Sequence, residues 1–314
     1  NRYCTSGLDA CNFGAMKIMS NVDDLVLAGG VESMSRVAML SDKATFYTDP
    51  DVIKRTGFVP MGLAADLVAS LDGITREECD DYAVRSQQRA AIAQKKGHFS
   101  KSLIPIETGE NGQKVSLDES IRTTVTPEKL AMFDPIFSEF GKKGYETALK
   151  SAFPELDELR YIHHPGNSPG IVDGASLVVI GSAGAGKKYG LTPRAKIHTM
   201  TNVCSNKLIA LTGGIDAATD ALNKADMSSG DVDLIEFNEA FASVSIKFIQ
   251  DTDWTEDQVN VNGGAIALGH AMGATGASLV GTVLDELERR DFSVGMVAVS
   301  GAAGIGTATI VERV

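Results

Sequence analysis

VDLIEFNEAFASVSIKFIQ (232–250) opens with a short apolar run, VDLIEF, that passes directly into a segment with helical spacing. An apolar run of this length without polar alternation reads as a strand covered on both faces. A helix at its carboxyl end is the repeating step of a layered α/β fold. Downstream, GATGASLVGTVLDELERR (273–290) has the spacing of an amphipathic helix. VGMVAV (294–299) and TATIVERV (307–314) read as a strand pair around the glycine-rich turn SGAAGIG. Upstream, RAKIHTMTNV (194–203) and ASLVVI (175–180) read as strands. Near the start, LDACNFGAMKIM (8–19) is helical in spacing, and DLVLAG (24–29) reads as a buried strand closed by Gly29–Gly30. The fold class is therefore α/β.

Between about 37 and 164 the character changes. MGLAADLVASL predicts a helix. TREECDDYAVRSQQRAAIAQKKG predicts a longer one, with Thr75 and Glu78 as a capping box and Gly97 just past its end. Pro127 after Thr126 marks another helix start. Residues 138–162 are highly charged and read as a surface insertion. The expected organisation is a core half from 1–36 with 165–191, an excursion over 37–164, and a second core half over 192–314.

At 314 residues the chain suggests roughly two domains or one elaborate α/β unit. The hydrophobic share of 43% excludes low-complexity disorder, and no apolar run approaches the roughly 18 residues of a membrane span. The net charge of −12 argues against a nucleic-acid binder. The four cysteines form no CxxC and the five histidines no HExxH, so neither a disulfide framework, a zinc knuckle nor a metal hydrolase is expected. Scattered reduced thiols fit an intracellular protein, cytoplasmic or organellar. The chain starts at Asn1, with structure expected at once; the resemblance described below implies that the first part of its N-terminal half is missing.

Four segments could carry chemistry. In NRYCTSG, Cys4 lies just before a helix start, where the positive helix end lowers a thiol pKa; a core cysteine is the alternative. In NGGAIALGHAMGATG (262–276), His270 is set among glycines directly before a helix, either as a functional group or as a structural histidine. In FNEAFA (237–242), Asn238 and Glu239 sit at a strand's carboxyl end, where α/β folds place their sites; Asn238 could also be a plain N-cap. VSGAAGIGTA (299–308) is glycine-rich but lacks the dinucleotide spacing, and a strand follows it. GSAGAGKK (181–188) nearly spells a phosphate loop, yet Lys188 stands where a magnesium-binding Ser or Thr is required.

Together these segments resemble the thiolase family over nearly the whole chain. NRYCTSG resembles the nucleophile motif, GGVESMSR (29–36) the signature after it, NEAFA the asparagine motif and NGGAIALGHAMGATGA the histidine motif. MGLAADLVASLDGITREECDDYAVRSQQRAAIAQKKGHF is similar to the coenzyme A-binding loop domain, and GNSPGIVDGAS (166–176) to the segment returning to the core. The resemblance implies two similar layered α-β-α-β-α halves with an inserted loop domain, and reversible acyl exchange on coenzyme A. Cys4 would carry the acyl group as a thioester, His270 would activate it, and Asn238 would hold a water in an oxyanion site. Backbone N–H groups of Cys4 and Ala302 would form a second oxyanion hole, and Ser168 and Met61 would contact CoA. CoA is then a substrate and no resident cofactor or metal is implied. Relatives pair through their core sheets, so at least a homodimer is expected. The basic face of Arg85, Arg89, Lys95 and Lys96 is more simply a solvated helix side.

One departure bears on activity. The family's second catalytic cysteine, a general acid/base, falls at Ser300 here, and a hydroxyl is a poor proton shuttle near neutrality. His270 is also followed by Ala271 where many relatives have proline. Three readings stay open: a degradative 3-ketoacyl-CoA thiolase, a biosynthetic acetoacetyl-CoA-forming acetyltransferase, and a weakly active or non-catalytic acyl-CoA-binding protein.

Overall fold

The computed structural model describes residues 1–108 and 112–314. The core elements, in chain order, are helix α1 (Ser6–Met19), strand β1 (Leu25–Ser33), helices α2 (Met61–Leu71) and α3 (Arg76–Lys96), then strands β2 (Asp173–Gly181) and β3 (Ala195–Cys204). Helix α4 (Gly213–Ala225), strand β4 (Leu234–Phe237), helices α5 (Ala242–Asp251) and α6 (Met272–Arg290), and strands β5 (Val294–Ser300) and β6 (Ile305–Arg313) complete it. β1 and β2 form an antiparallel pair, Leu25 opposite Gly181 and Ser33 opposite Asp173. The second sheet has the order β3-β6-β5-β4, with β4 parallel to β5 and the other pairs antiparallel.

Side-chain periodicity stacks these layers. Val26 and Ala28 of β1 and Val178 and Ile180 of β2 share one face and meet Cys11 of α1 and Ala277 of α6. The opposite stripe of α6, Leu279, Val280, Val283 and Leu287, packs on Leu234, Val297, Val299 and Val311 of the second sheet. α1 and α6 thus form a helical layer between the two sheets, and α4 covers the far side of the second. The layer is thin because backbone meets backbone. A methyl group on Gly7 would lie 2.5 Å from the Gly273 carbonyl oxygen, and one on Gly30 would overlap that same oxygen. Only glycine permits such an approach, and it draws the start of α6 against both the start of α1 and the middle of β1.

Two expectations change here. The glycine pair Gly29–Gly30 does not close β1, which continues to Ser33; glycine at 29 leaves room for the Ser176 carbonyl on the neighbouring strand. The helix after VDLIEF starts only at Ala242, leaving Asn238–Phe241 as an irregular turn. Residues 37–164 run between β1 and β2 in the chain. They add no strand to either core sheet, their only ladder among the described residues being Ile106–Thr108 with Gln113–Val115. Yet α2 and α3 are buried against α5 and the turn Ala265–Leu268, because Leu63, Ala64, Leu67 and Ala83 sit on faces that need covering.

The capping box at Thr75 and Glu78 and left-handed Gly97 bound α3 as expected. The charged segment 138–162 is a surface insertion on one side only. Leu149, Phe153, Leu156 and Leu159 are buried beside Leu63, Leu211 and Phe237. Each such side chain contributes about 1.5–3 kcal/mol when fully buried, so the segment is fastened rather than draped. Asp66 on α2 adds a polar anchor, accepting from the N–H groups of Ile162 and His163 and pairing with His163 Nδ1 at 2.7 Å.

Candidate active site

Cys4 lies on a tight turn, Tyr3–Thr5, that feeds α1. Tyr3 takes the left-handed conformation (φ 55°). Asp9, one turn into α1, holds this turn from below: its Oδ2 accepts from Arg2 Nε at 2.6 Å and from Thr5 Oγ1 at 2.7 Å. The Cys4 thiol donates to the Met272 sulfur at 3.6 Å. The pKa expectation for Cys4 is overturned. Burial pushes the thiol up to about 12, the nearby Glu32 carboxylate adds to this, and the hydrogen bond from the residue's own N–H only partly opposes it. Desolvation therefore outweighs the helix end in the free protein.

His270 sits in the bend between Ala265–Leu268 and α6. Its N–H donates to the Gly170 carbonyl at 2.9 Å, and its Nδ1 is 2.8 Å from Thr275 Oγ1, one turn into α6. Nε2 is buried without a protein partner. Burial lowers the imidazole pKa to about 4, so the ring is neutral at ordinary pH and can accept a proton at one nitrogen. The expected Cys4–His270 hydrogen bond is not made; Met272 engages the thiol instead.

Ser300, Ala302, Ser168 and Asn238 lie on segments tied to one another and to these two turns by the contacts that follow. Ser300 ends β5, wholly buried, and its Oγ accepts from Gly214 N–H at 2.8 Å in the first turn of α4. The turn after it rests on the Tyr3–Thr5 turn: a methyl on Gly301 would meet Thr5 Cγ2 at 3.2 Å and the Arg2 carbonyl oxygen at 3.4 Å. Ala302 is buried in that turn, and Ala303 beside it is left-handed (φ 60°). Asn238 does not cap α5, whose cap is Phe241. Its side-chain amide is buried, with neither atom paired to protein, and the Ser168 hydroxyl is likewise unpaired. Two backbone bonds join these loops, Ala242 N–H to Asn167 O and His270 N–H to Gly170 O. Ser168, Asn238 and His270 therefore offer polar atoms from three adjoining loops, with no protein group to satisfy them. Buried polar groups are ordinarily paired, so such a cluster is suited to a polar ligand.

Beside the Gly170 loop opens a cleft of about 790 Å³, lined by Arg122, Thr124, Lys129, Phe133, Gly166 and Ile266 among others. Arg122 and Lys129 give it a positive wall in a chain of strongly negative net charge. Sequence reading missed both, because RTTVTPEK has no periodicity that assigns a side chain to a wall. Met61 does not line this cleft; it is packed against the main core at the start of α2. The basic face of α3 is not simply solvated. Arg85 pairs with Glu256 at 2.8 Å, and Arg89 donates to the Val259 carbonyl at 3.1 Å. Thr275, Met272 and Glu32 also escaped the sequence reading. Only the five-residue step from His270 to Thr275 hinted at the first.

Residues 1–184 match the family model of the thiolase N-terminal domain, and residues 191–313 that of the thiolase C-terminal domain. The chain belongs to the thiolase family. It is 37% identical to a 3-ketoacyl-CoA thiolase of Shewanella putrefaciens over 322 aligned residues, covering all of this chain and 78% of the relative. An acetyl-CoA acetyltransferase of Allochromatium vinosum is 36% identical at the same coverage. The crystal structure of human mitochondrial 3-ketoacyl-CoA thiolase superposes with a TM-score of 0.85 at 31% identity, covering 100% of this chain and 77% of that one. The Bacillus anthracis acetyl-CoA acetyltransferase gives 0.82, also at 31% identity. The layered α/β architecture described above is thus the thiolase fold.

Proposed function

We propose that this thiolase moves acyl groups between a 3-ketoacyl-CoA and CoA through a thioester on Cys4, in the degradative direction. The observation that carries the reading is the set of unpaired polar atoms of His270, Asn238 and Ser168 on adjoining loops, next to a cleft with a basic wall, with the half-buried Cys4 thiol held against Met272, two residues after His270. The thiolate adds to the keto carbon, the bond between C2 and C3 breaks, and acetyl-CoA departs as an enolate that must gain a proton. The CoA thiol then gives up a proton, and its sulfur displaces Cys4. His270, neutral in the free protein, takes the thiol proton once bound substrate displaces the Met272 contact. Asn238 and His270 face the thioester oxygen of the enolate, and the N–H groups of Cys4 and Ala302 the oxygen of the tetrahedral adduct.

Arg122 and Lys129 suit the phosphates of CoA, and Ser168 its pantetheine arm. Residues 37–164 form the CoA-binding region in this reading, flanked by core halves at 1–36 with 165–191 and at 192–314. At least a homodimer is part of the proposal: Leu27, Val31, Leu177 and Val179 share the outer face of the β1–β2 pair and are exposed. So is a cytoplasmic location, supported by the bacterial relatives. Ser300 favours one alternative, a protein that binds acyl-CoA and turns it over slowly. Incubation with acetyl-CoA followed by mass mapping tests the proposal: an acetyl group on Cys4 supports it, and label mainly on Cys11, Cys79 or Cys204 refutes it.

A further inference from the structure

We propose that Glu239 and Gln87 are positioning residues that fasten the His270-bearing segment to helix α3, so that the proton-transferring end of the site and the wall of the cleft keep one register. The inference rests on the acyl-transfer reading but on different atoms.

Glu239 follows Asn238 directly and is fully buried. Its Oε2 accepts from Ser86 Oγ at 2.8 Å and from Ile266 N–H at 2.9 Å; its Oε1 accepts from Tyr82 OH at 3.0 Å and Asn260 Nδ2 at 3.4 Å. Ser86 and Tyr82 belong to α3, and Ile266 lies four residues before His270. One carboxylate therefore ties together the helix, the asparagine turn and the histidine turn. Gln87 makes a second tie. Its Nε2 donates to the Ile266 carbonyl at 3.1 Å, and its Oε1 accepts from Arg122 N–H at 2.7 Å in the cleft wall. Both backbone groups of Ile266 are thus held from α3, one directly and one through Glu239. Two glycines make the closeness possible. A methyl on Gly263 would lie 2.5 Å from the Ser86 carbonyl oxygen, and one on Gly264 would overlap the Glu239 carboxyl group.

The geometry matters because, among the described residues, His270 has two other polar restraints, its N–H bond to Gly170 and its contact with Thr275. Releasing Ile266 frees the segment leading into the histidine, and a misplacement of about 1 Å at a reacting group costs on the order of a hundredfold in rate.

The test is the single-turnover rate of Cys4 acylation, read as CoA released after mixing with acetyl-CoA, beside CoA affinity and Tm. Glu239→Leu should slow acylation by about a hundredfold with CoA affinity little changed. Glu239→Gln keeps an acceptor for Ile266 N–H and should restore most of the rate. Gln87→Met should slow acylation and also weaken CoA binding, because it frees Arg122 N–H in the cleft. If Glu239→Leu does not fold, Ser86→Ala and Gln87→Met carry the test. A lowered Tm with wild-type acylation rates in the folded variants overturns the proposal and makes these residues ordinary packing. A wild-type protein that never acylates Cys4 overturns the acyl-transfer reading instead.

Discussion

Ser300→Cys should raise turnover in carbon–carbon bond cleavage without tightening CoA binding. The side chain at 300 is fully buried and its terminal atom accepts an N–H from the first turn of a helix of 13 residues. The helix end would favour a thiolate there by up to about 1 kcal/mol, against burial, which raises a thiol pKa; a thiol of ordinary pKa about 8.5 is still far more acidic than a hydroxyl. A serine hydroxyl in the same place stays protonated. General acid–base assistance is worth about 10²–10⁴-fold, or about 2.7–5.5 kcal/mol of barrier. The larger sulfur needs a shift of a few tenths of an ångström against Gly214 and costs about 1–3 kcal/mol in stability at most. Steady-state thiolysis of acetoacetyl-CoA, compared between the two forms, should show kcat rising and KM nearly constant, the signature of a contribution made only in the transition state. Equal kcat would refute the reasoning. Residue 300 would then not be the proton shuttle in this fold, whatever its position in the loop.

The remaining predictions are simpler to read. In the free protein, alkylation of Cys4 by iodoacetamide should climb about tenfold per pH unit from 7 to 10, as a thiol pushed up to about 12 requires; a plateau near pH 8 would place its pKa in the ordinary range. His270 is held below its unfolded pKa of about 6.5, so the unfolded chain binds the extra proton first. Stability should then fall as pH drops from about 6.5 towards 4, with a slope of at most about 1.4 kcal/mol per unit from this group, and His270→Asn should flatten that part of a urea-denaturation series. Gly30→Ala should destabilise by about 3 kcal/mol or more, since its methyl overlaps the Gly273 carbonyl and neither backbone can yield. Light scattering on the protein should give at least a dimer, and a stable monomer would refute that assignment.

Local pattern made much of the scaffold readable before any coordinates. The capped helix Arg76–Lys96 and the antiparallel pair Val294–Ser300 with Ile305–Arg313 follow from capping chemistry and apolar runs. Cys4, His270 and Asn238 stood out because a helix start, glycines and a strand end flagged their surroundings, whereas Ser300 came from the family resemblance alone. What stayed hidden depends on distance in sequence. Met272 facing Cys4 spans 268 positions and Glu239 facing Ser86 spans 153; nothing local to either partner announces the other. Burial is equally non-local, which is why a helix-start argument gave the wrong direction for the Cys4 pKa. The insertion at 138–162 misled for another reason: four apolar residues among many charges are enough to anchor a segment but too few to dominate its composition.

The glycine contact at Gly7, Gly30 and Gly273 sets where variation in this protein can accumulate. With carbonyl oxygen set against α-carbon there is no side chain to trim, so the nucleophile turn and the histidine turn cannot be moved apart by single substitutions without breaking the fold. The chain between Ser33 and Asp173 joins neither core sheet, although α3 within it is locked by Gly263 against the Ser86 carbonyl. Outside α3 it can lengthen, provided a few apolar side chains find the core beside α2, as those of 138–162 do. A redesign seeking different acyl chains should therefore graft or shorten segments there and leave the glycine-lined floor untouched.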